Sequence, residues 1–317
     1  MTERFPAGRL QIAANNAMVD SLTVEAVAAL SESGVDCILL KGPSFARWLY
    51  PGQFVRTYVD TDLLVAIGKM QEVNRALEPV GFSLSKPTVD LPHDRPAYVL
   101  DWLRPRDAAV VEIHRTLVGI RADPNHVWAV LSRQRERMSL QGIEVCVLNE
   151  PARCLHVALH AAQDGGRVEK AMEDLRRAAA RAPLESWEAA ARLAAELDAA
   201  EAFAFGLRLA PESVKVATSL GLPVTSSVDV LLHAENRAPA ARSMDWWLRT
   251  PGVRAKTRLA VAKLFPPPSF LRTWSALARR GRVGLALAYP LRLLWLLAHG
   301  VIAVITWSAV RFRRRGS

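Results

Sequence analysis

Apolar positions come in short runs over the first 150 residues and at helical spacing after Asn149. Leu10 to Ser33 places Ile12, Val19, Leu22, Val27 and Leu30 on a helical repeat and stops at Gly34, which predicts an opening helix. The run Val35 to Leu40 predicts a strand, ended by Lys41-Gly42-Pro43-Ser44. Pro43 suits a first helical position, and Phe45, Trp48 and Leu49 then share one helical face. Tyr50-Pro51-Gly52 closes that helix, and Val59 to Val65 predicts a second strand. Lys69 to Glu78 reads as a helix, and Phe82 begins a short strand. Leu91 to Pro96 is a loop holding His93. Strands Ala97–Leu103 and Ala108–Arg115 form a hairpin about Arg104-Pro105-Arg106-Asp107, and Ile143–Leu148 is a further strand.

Beyond Asn149-Glu150-Pro151 every element reads as helix: Ala152–Gln163, one or two helices in Glu185–Leu209, Pro211–Ala217 and Val228–Ala234. No repeat period is visible. The expected class is α+β: a mixed sheet with flanking helices over 1–150, a helical domain over 151–250, and a basic, apolar tail over 251–317.

Two strands carry charges that need a reason. Asp60 and Asp62 stand two apart in an apolar strand, so both carboxylates share a face, and like charges there call for a cation. In Val110-Val111-Glu112-Ile113-His114, Glu112 and His114 share one face and Val111 and Ile113 the other. Taken alone, that strand is either an edge strand with Glu112 and His114 in water or the source of a third carboxylate.

Leu39-Leu40-Lys41-Gly42, then Leu49-Tyr50-Pro51, then Arg56, then Asp60-Thr61-Asp62-Leu63-Leu64-Val65 resembles the uncharacterised branch of the polymerase-β-like nucleotidyltransferase superfamily. Val111-Glu112-Ile113-His114 resembles that family's second signature, and Leu155–Ala161 followed by Glu173-Asp174-Leu175 its helical region. Pro43 departs from the family's adjacent Gly-Ser pair. The resemblance implies transfer of a nucleoside monophosphate from a nucleoside triphosphate to an acceptor. It makes Asp60, Asp62 and Glu112 the catalytic carboxylates and the ligands of Mg²⁺ or Mn²⁺. Lys41, Gly42, Ser44 and Arg56 become the nucleotide-binding candidates, with the helix dipole at the turn adding to them. His114, His160 and Asp174 are the substrate-facing candidates. The alternative from another class is a non-catalytic nucleotide-binding or membrane-tethered accessory protein.

His156 and His160 stand at i, i+4, but the intervening residues lack the glutamate of a zinc-protease motif and no third ligand is evident. Cys37, Cys146 and Cys154 have no metal-like spacing and read as buried thiols in a reducing cytoplasm. Met1 to Arg9 has no apolar signal core, which disfavours secretion.

The net charge of +10 belongs to the tail. Thirteen of the 41 lysines and arginines follow Pro251 and no acid follows Asp245, which leaves 28 basic against 31 acidic residues in the first 250. That balance argues against a long nucleic-acid acceptor. Leu293–Val310 has 18 residues without a formal charge, ahead of Arg311, Arg313, Arg314 and Arg315. Arg292, His299, Thr306 and Arg313 draw a polar line every seven residues. With Trp274, Trp295 and Trp307, this predicts either an anionic-membrane contact through 270–317, lying on or spanning the inner face of the cytoplasmic membrane, or a core helix.

Overall fold

The computed structural model describes residues 7–52, 56–86, 88–224, 226–235 and 239–315. Residues 53–55 of the strand–turn–helix–strand stretch, residues 1–6 of the supposed leaderless start and residues 316–317 of the tail lie outside the described residues. A helix α1 (Ala7–Glu32) leads into β1 (Cys37–Leu39), α2 (Pro43–Leu49) and β2 (Thr61–Val65), as the hydrophobic runs require. A 3-10 turn and α3 (Met70–Leu77) follow, then β3 (Ser83–Leu84), β4 (Val99–Arg104) and β5 (Ala109–His114).

Two further elements have no counterpart in the sequence reading: α4 (Pro124–Leu131) and β6 (Arg135–Leu140), the latter ahead of β7 (Ile143–Leu148). β6 is an edge strand of sequence Arg-Glu-Arg-Met-Ser-Leu, in which only Leu140 is buried, so its apolar alternation is nearly silent. The seven strands form one mixed sheet in the order β3-β4-β5-β2-β1-β7-β6. β5 lies between β4 and β2, which removes the edge-strand reading of Glu112 and His114.

The two faces of the sheet bury different cores. Leu39, Leu63, Val65, Val111, Ile113 and Val147 pack toward α1 and α3. Ile38, Leu64 and Leu148 pack the other way, toward the helices α5 (Glu150–Gln163), α6 (Glu169–Arg181), α7 (Leu184–Glu196) and α8 (Ala200–Leu207). The side-chain period of two therefore puts Asp62, Glu112 and His114 on the face that meets the helical half. That second core runs without a break from the sheet through α9 (Pro211–Ser219), so the change of element type at residue 150 does not divide the core.

The remaining helices are α10 (Val228–Ala234), α11 (Pro239–Arg249), α12 (Val253–Leu264), α13 (Pro268–Trp274) and α14 (Gly281–Arg315). α14 packs Ala303, Trp307 and Val310 on α10 and α11. By length and composition it is apolar enough to cross a membrane, and only 11% of its apolar window is buried among the described residues. The polar line is covered only in part: Arg292 is buried, whereas Arg313 is exposed and pairs with Glu235 at 3.0 Å. The outer face carries Leu294, Leu297, Val301 and Ile305.

Candidate active site

The site begins at the turn after β1. Gly42 caps α2 with φ 58° and ψ −116°, a conformation that side chains other than hydrogen resist. α2 then buries Phe45, Trp48 and Leu49 as its spacing requires, and Ser44 with them. The Ser44 hydroxyl is fully buried and has no hydrogen-bond partner.

β2 and β5 run parallel, with Asp62 directly opposite Glu112 and Leu64 opposite His114. β4 adds Asp101 opposite Glu112, so three carboxylates line up across three strands. Asp101 went unnoticed in the sequence because only strand register reveals it. Ligand atoms of Asp62, Glu112 and His114 lie within 4.8 Å of one another. Asp60, expected as a ligand, precedes β2 and is outside that group, though its charge interacts with those of Asp62 and Glu112.

The site is a balance of charges. Asp62 is 2% exposed. Its carboxylate accepts from Lys41 Nζ at 2.7 Å and faces His114 Nε2 at 3.0 Å. Burial alone would raise Asp62, but Lys41 and His114 hold it well below the usual carboxylate range. His114 also lies 3.4 Å from Glu112 Oε2. Burial lowers the imidazole, yet its bonds to Asp62 and Glu112 win and keep it above its ordinary value. Burial and the neighbouring Asp62 charge push Asp60 up against the opposing pull of Lys41 and Lys170. The carboxylate oxygens thus fit a hard divalent ion, for they form a concentration of negative charge answered by one lysine and one histidine.

Other expected residues take different places. Arg56 donates from Nε to Asp174 Oδ1 at 2.9 Å and from Nη2 to Oδ2 at 2.8 Å, and both side chains are buried. The Tyr50 hydroxyl donates to the same carboxylate at 2.8 Å. Arg56 and Asp174 are therefore committed to each other, clamping the α2–β2 connection onto α6. His114 is turned into the carboxylate group and away from solvent. His160 borders a small cavity with Lys41, Tyr98, His114 and His156. Burial pushes the His160 imidazole down to about 3, and that of His156 well below its ordinary value. Neither ring has a partner at Nδ1, and no third ligand joins them among the described residues.

Lys170, at the start of α6, is a second residue that sequence reasoning missed. Its charge acts on Asp60 from across the cleft, and its side chain is exposed. A lysine twenty residues into the helical half carries no signal of its own.

A family model described as uncharacterised nucleotidyltransferase matches residues 1–214, about two thirds of the chain. The chain belongs to that uncharacterised nucleotidyltransferase family. Comparison with curated proteins gave no match. Among solved structures, the chain is similar to the antibiotic-resistance factor ANT(2'')-Ia, with 15% identity over 58% of this chain and 95% of that one and a TM-score of 0.42. It is also similar to an antigenic nucleotidyltransferase-like protein from Paracoccidioides brasiliensis, at 16% identity over 58% and 92% of the two chains with a TM-score of 0.31. JHP933 from Helicobacter pylori shows 15% identity over 65% and 93%, with a TM-score of 0.31.

Proposed function

We propose that this nucleotidyltransferase moves a nucleoside monophosphate group from a nucleoside triphosphate to a hydroxyl-bearing acceptor, with Asp60, Asp62 and Glu112 holding Mg²⁺ or Mn²⁺. The observation that carries this reading is the parallel register that sets Asp62 against Glu112. Bound there, a divalent ion neutralises triphosphate charge and lowers the acceptor hydroxyl's pKa. The acceptor oxygen attacks the α-phosphorus, the bond to the bridging oxygen breaks, and pyrophosphate leaves. Glu112, the more exposed member of the pair at 27%, takes the acceptor proton. Lys41 passes from Asp62 to the phosphate oxygens, and Lys170 meets the triphosphate from the helical side. Gly42 lets the backbone approach the phosphates. Arg56 and Asp174 serve this site by position, since each is already paired with the other.

The test is label transfer from each α-labelled nucleoside triphosphate with Mg²⁺ or Mn²⁺, using host lysate and membranes as the acceptor pool. Labelled product with wild type and none with Asp62→Asn supports the reading. Label from both proteins, or binding of Mg-nucleotide without any transfer, removes it in favour of a binding module.

The exposed apolar face of α14, with arginines at both ends, supports a second element of the reading: a cytoplasmic protein held on the inner membrane face by its tail. Removing residues 270–317 should release it from membranes and spare turnover on a soluble acceptor.

A further inference from the structure

A cleft of ≈ 1040 Å³ opens between the 88–97 loop and helices α11, α12 and α14. Its wall is largely apolar, built from Met244, Trp247, Leu264, Leu296 and Val304. One charge in it stands apart. Arg292 is 7% exposed, and its guanidinium carbon lies 4.7 Å from the Trp295 ring, 5.0 Å from Trp274 and 5.3 Å from Phe270. Its Nε has no hydrogen-bond partner, and no carboxylate pairs with it among the described residues. The other charges lining the cleft are answered: Lys263 by Asp94 at 2.5 Å, Asp90 by Arg115 at 2.6 Å, and Arg95 by Asp229 at 3.8 Å.

Guanidinium stays protonated at any physiological pH. Three aromatic rings offset part of the cost of burying it, but they accept none of its N–H groups. An anion with an apolar body would satisfy both the charge and the wall. We infer that this cleft binds one anionic membrane phospholipid, with the phosphodiester on Arg292 and the acyl chains along Met244, Trp247, Leu296 and Val304.

The charge count chooses the headgroup. A phosphodiester brings the single negative charge that one guanidinium neutralises, whereas a phosphomonoester brings close to two and leaves one unanswered in an apolar wall. The surroundings choose the source. Leu297, Val301 and Ile305 of α14 line the open side of the cleft and, with Leu294 next to it, are exposed, with exposed Arg279, Arg280 and Arg282 before them and Arg311 and Arg314 after. That face meets an anionic bilayer, so the lipid comes from the membrane itself. The 88–97 loop that walls the cleft runs into Tyr98, whose ring is 6.4 Å from that of His114, so the bound lipid lies one loop away from the carboxylates.

The inference rests on the reading of the tail as membrane-bound and is independent of nucleotidyl transfer. The test uses the full chain, in native mass spectrometry from mild detergent and in flotation with vesicles of phosphatidylcholine alone or mixed equally with phosphatidylglycerol. Wild type should retain one phosphatidylglycerol per chain. Arg292→Met should weaken that retention by about tenfold or more, because a charge-assisted contact is lost, yet still float with the mixed vesicles through its exposed arginines. Ala260→Trp, which fills the cleft and keeps Arg292, should expel the lipid as well; thermal melting checks that both variants fold. Equal retention of phosphatidylcholine, displacement by inorganic phosphate, preference for oleate, or lipid retained by either folded variant overturns the inference. Failure of wild type to float, with lipid still held in detergent, overturns the membrane-bound reading alone.

Discussion

The carboxylate site and the tail cleft bury charge in opposite ways. In the first, Asp62 is closed in by Lys41 and His114, and Arg56 by Asp174, so each buried charge meets its opposite at hydrogen-bond distance. In the second, Arg292 is wrapped in aromatic rings and meets no acid among the described residues. The difference teaches what each region is set up to receive. A site rich in mutually repelling carboxylates has room for a cation, and a cation without a carboxylate partner in a largely apolar cleft has room for an anion.

The comparison breaks most visibly at Asp62. Asp62→Asn should lower label transfer by on the order of 10³-fold, since metal-assisted charge stabilisation is worth several kcal/mol; near-normal transfer would remove Asp62 from the chemistry. Asp174→Ala strands the buried Arg56 guanidinium and should destabilise the fold by about 3 kcal/mol in urea unfolding. Restoring an apolar pair with Arg56→Met and Asp174→Leu should recover most of that loss, and if it does not, the clamp contributes through shape. Gly42→Ala meets Tyr58 only at ordinary contact distance, so its cost of about 1–2 kcal/mol comes from the positive φ, read as a lowered Tm.

His156 and His160 give the pH dependence. Their imidazoles are depressed in the folded state, so the unfolded chain binds more protons below its ordinary histidine range. Stability should therefore hold above about pH 6.5 and fall as pH drops toward about 3, where His160 protonates in the fold. The slope should approach about 1 kcal/mol per pH unit for each ring, and His160→Gln should remove one ring's share. The smallest effect belongs to the tail: Arg292→Met should change stability within about 1 kcal/mol, because an apolar replacement leaves no stranded partner. A large loss there would mean that Arg292 is paired in a way the ring cage does not show.

Much of the sheet half was legible in the chain. The Lys41-Gly42-Pro43-Ser44 turn, the alternation around Asp60 and Asp62, and the hairpin turn at Arg104–Asp107 are local signals, and the backbone follows them. The edge strand Arg135–Leu140 was not legible, because a strand with one bare face and a bare edge needs little apolar alternation.

The sequence by itself determined that Glu112 and His114 share a face and that the basic excess sits in the tail, since these depend only on spacing and count. The shared face expected of Asp60 and Asp62 does not follow, because the strand begins at Thr61. The tertiary structure alone decided the rest. Strand register across 50 residues set Asp62 against Glu112 and brought Asp101 beside them. Packing of α6 on the sheet half joined Arg56 to Asp174. Docking of α14 on α10 and α11 covered Ala303 and Val310, and Arg292 is buried too, while Leu294, Leu297, Ile302 and Ile305 stay exposed, because a helix's periodicity fixes its two faces and only its partner decides which one is covered.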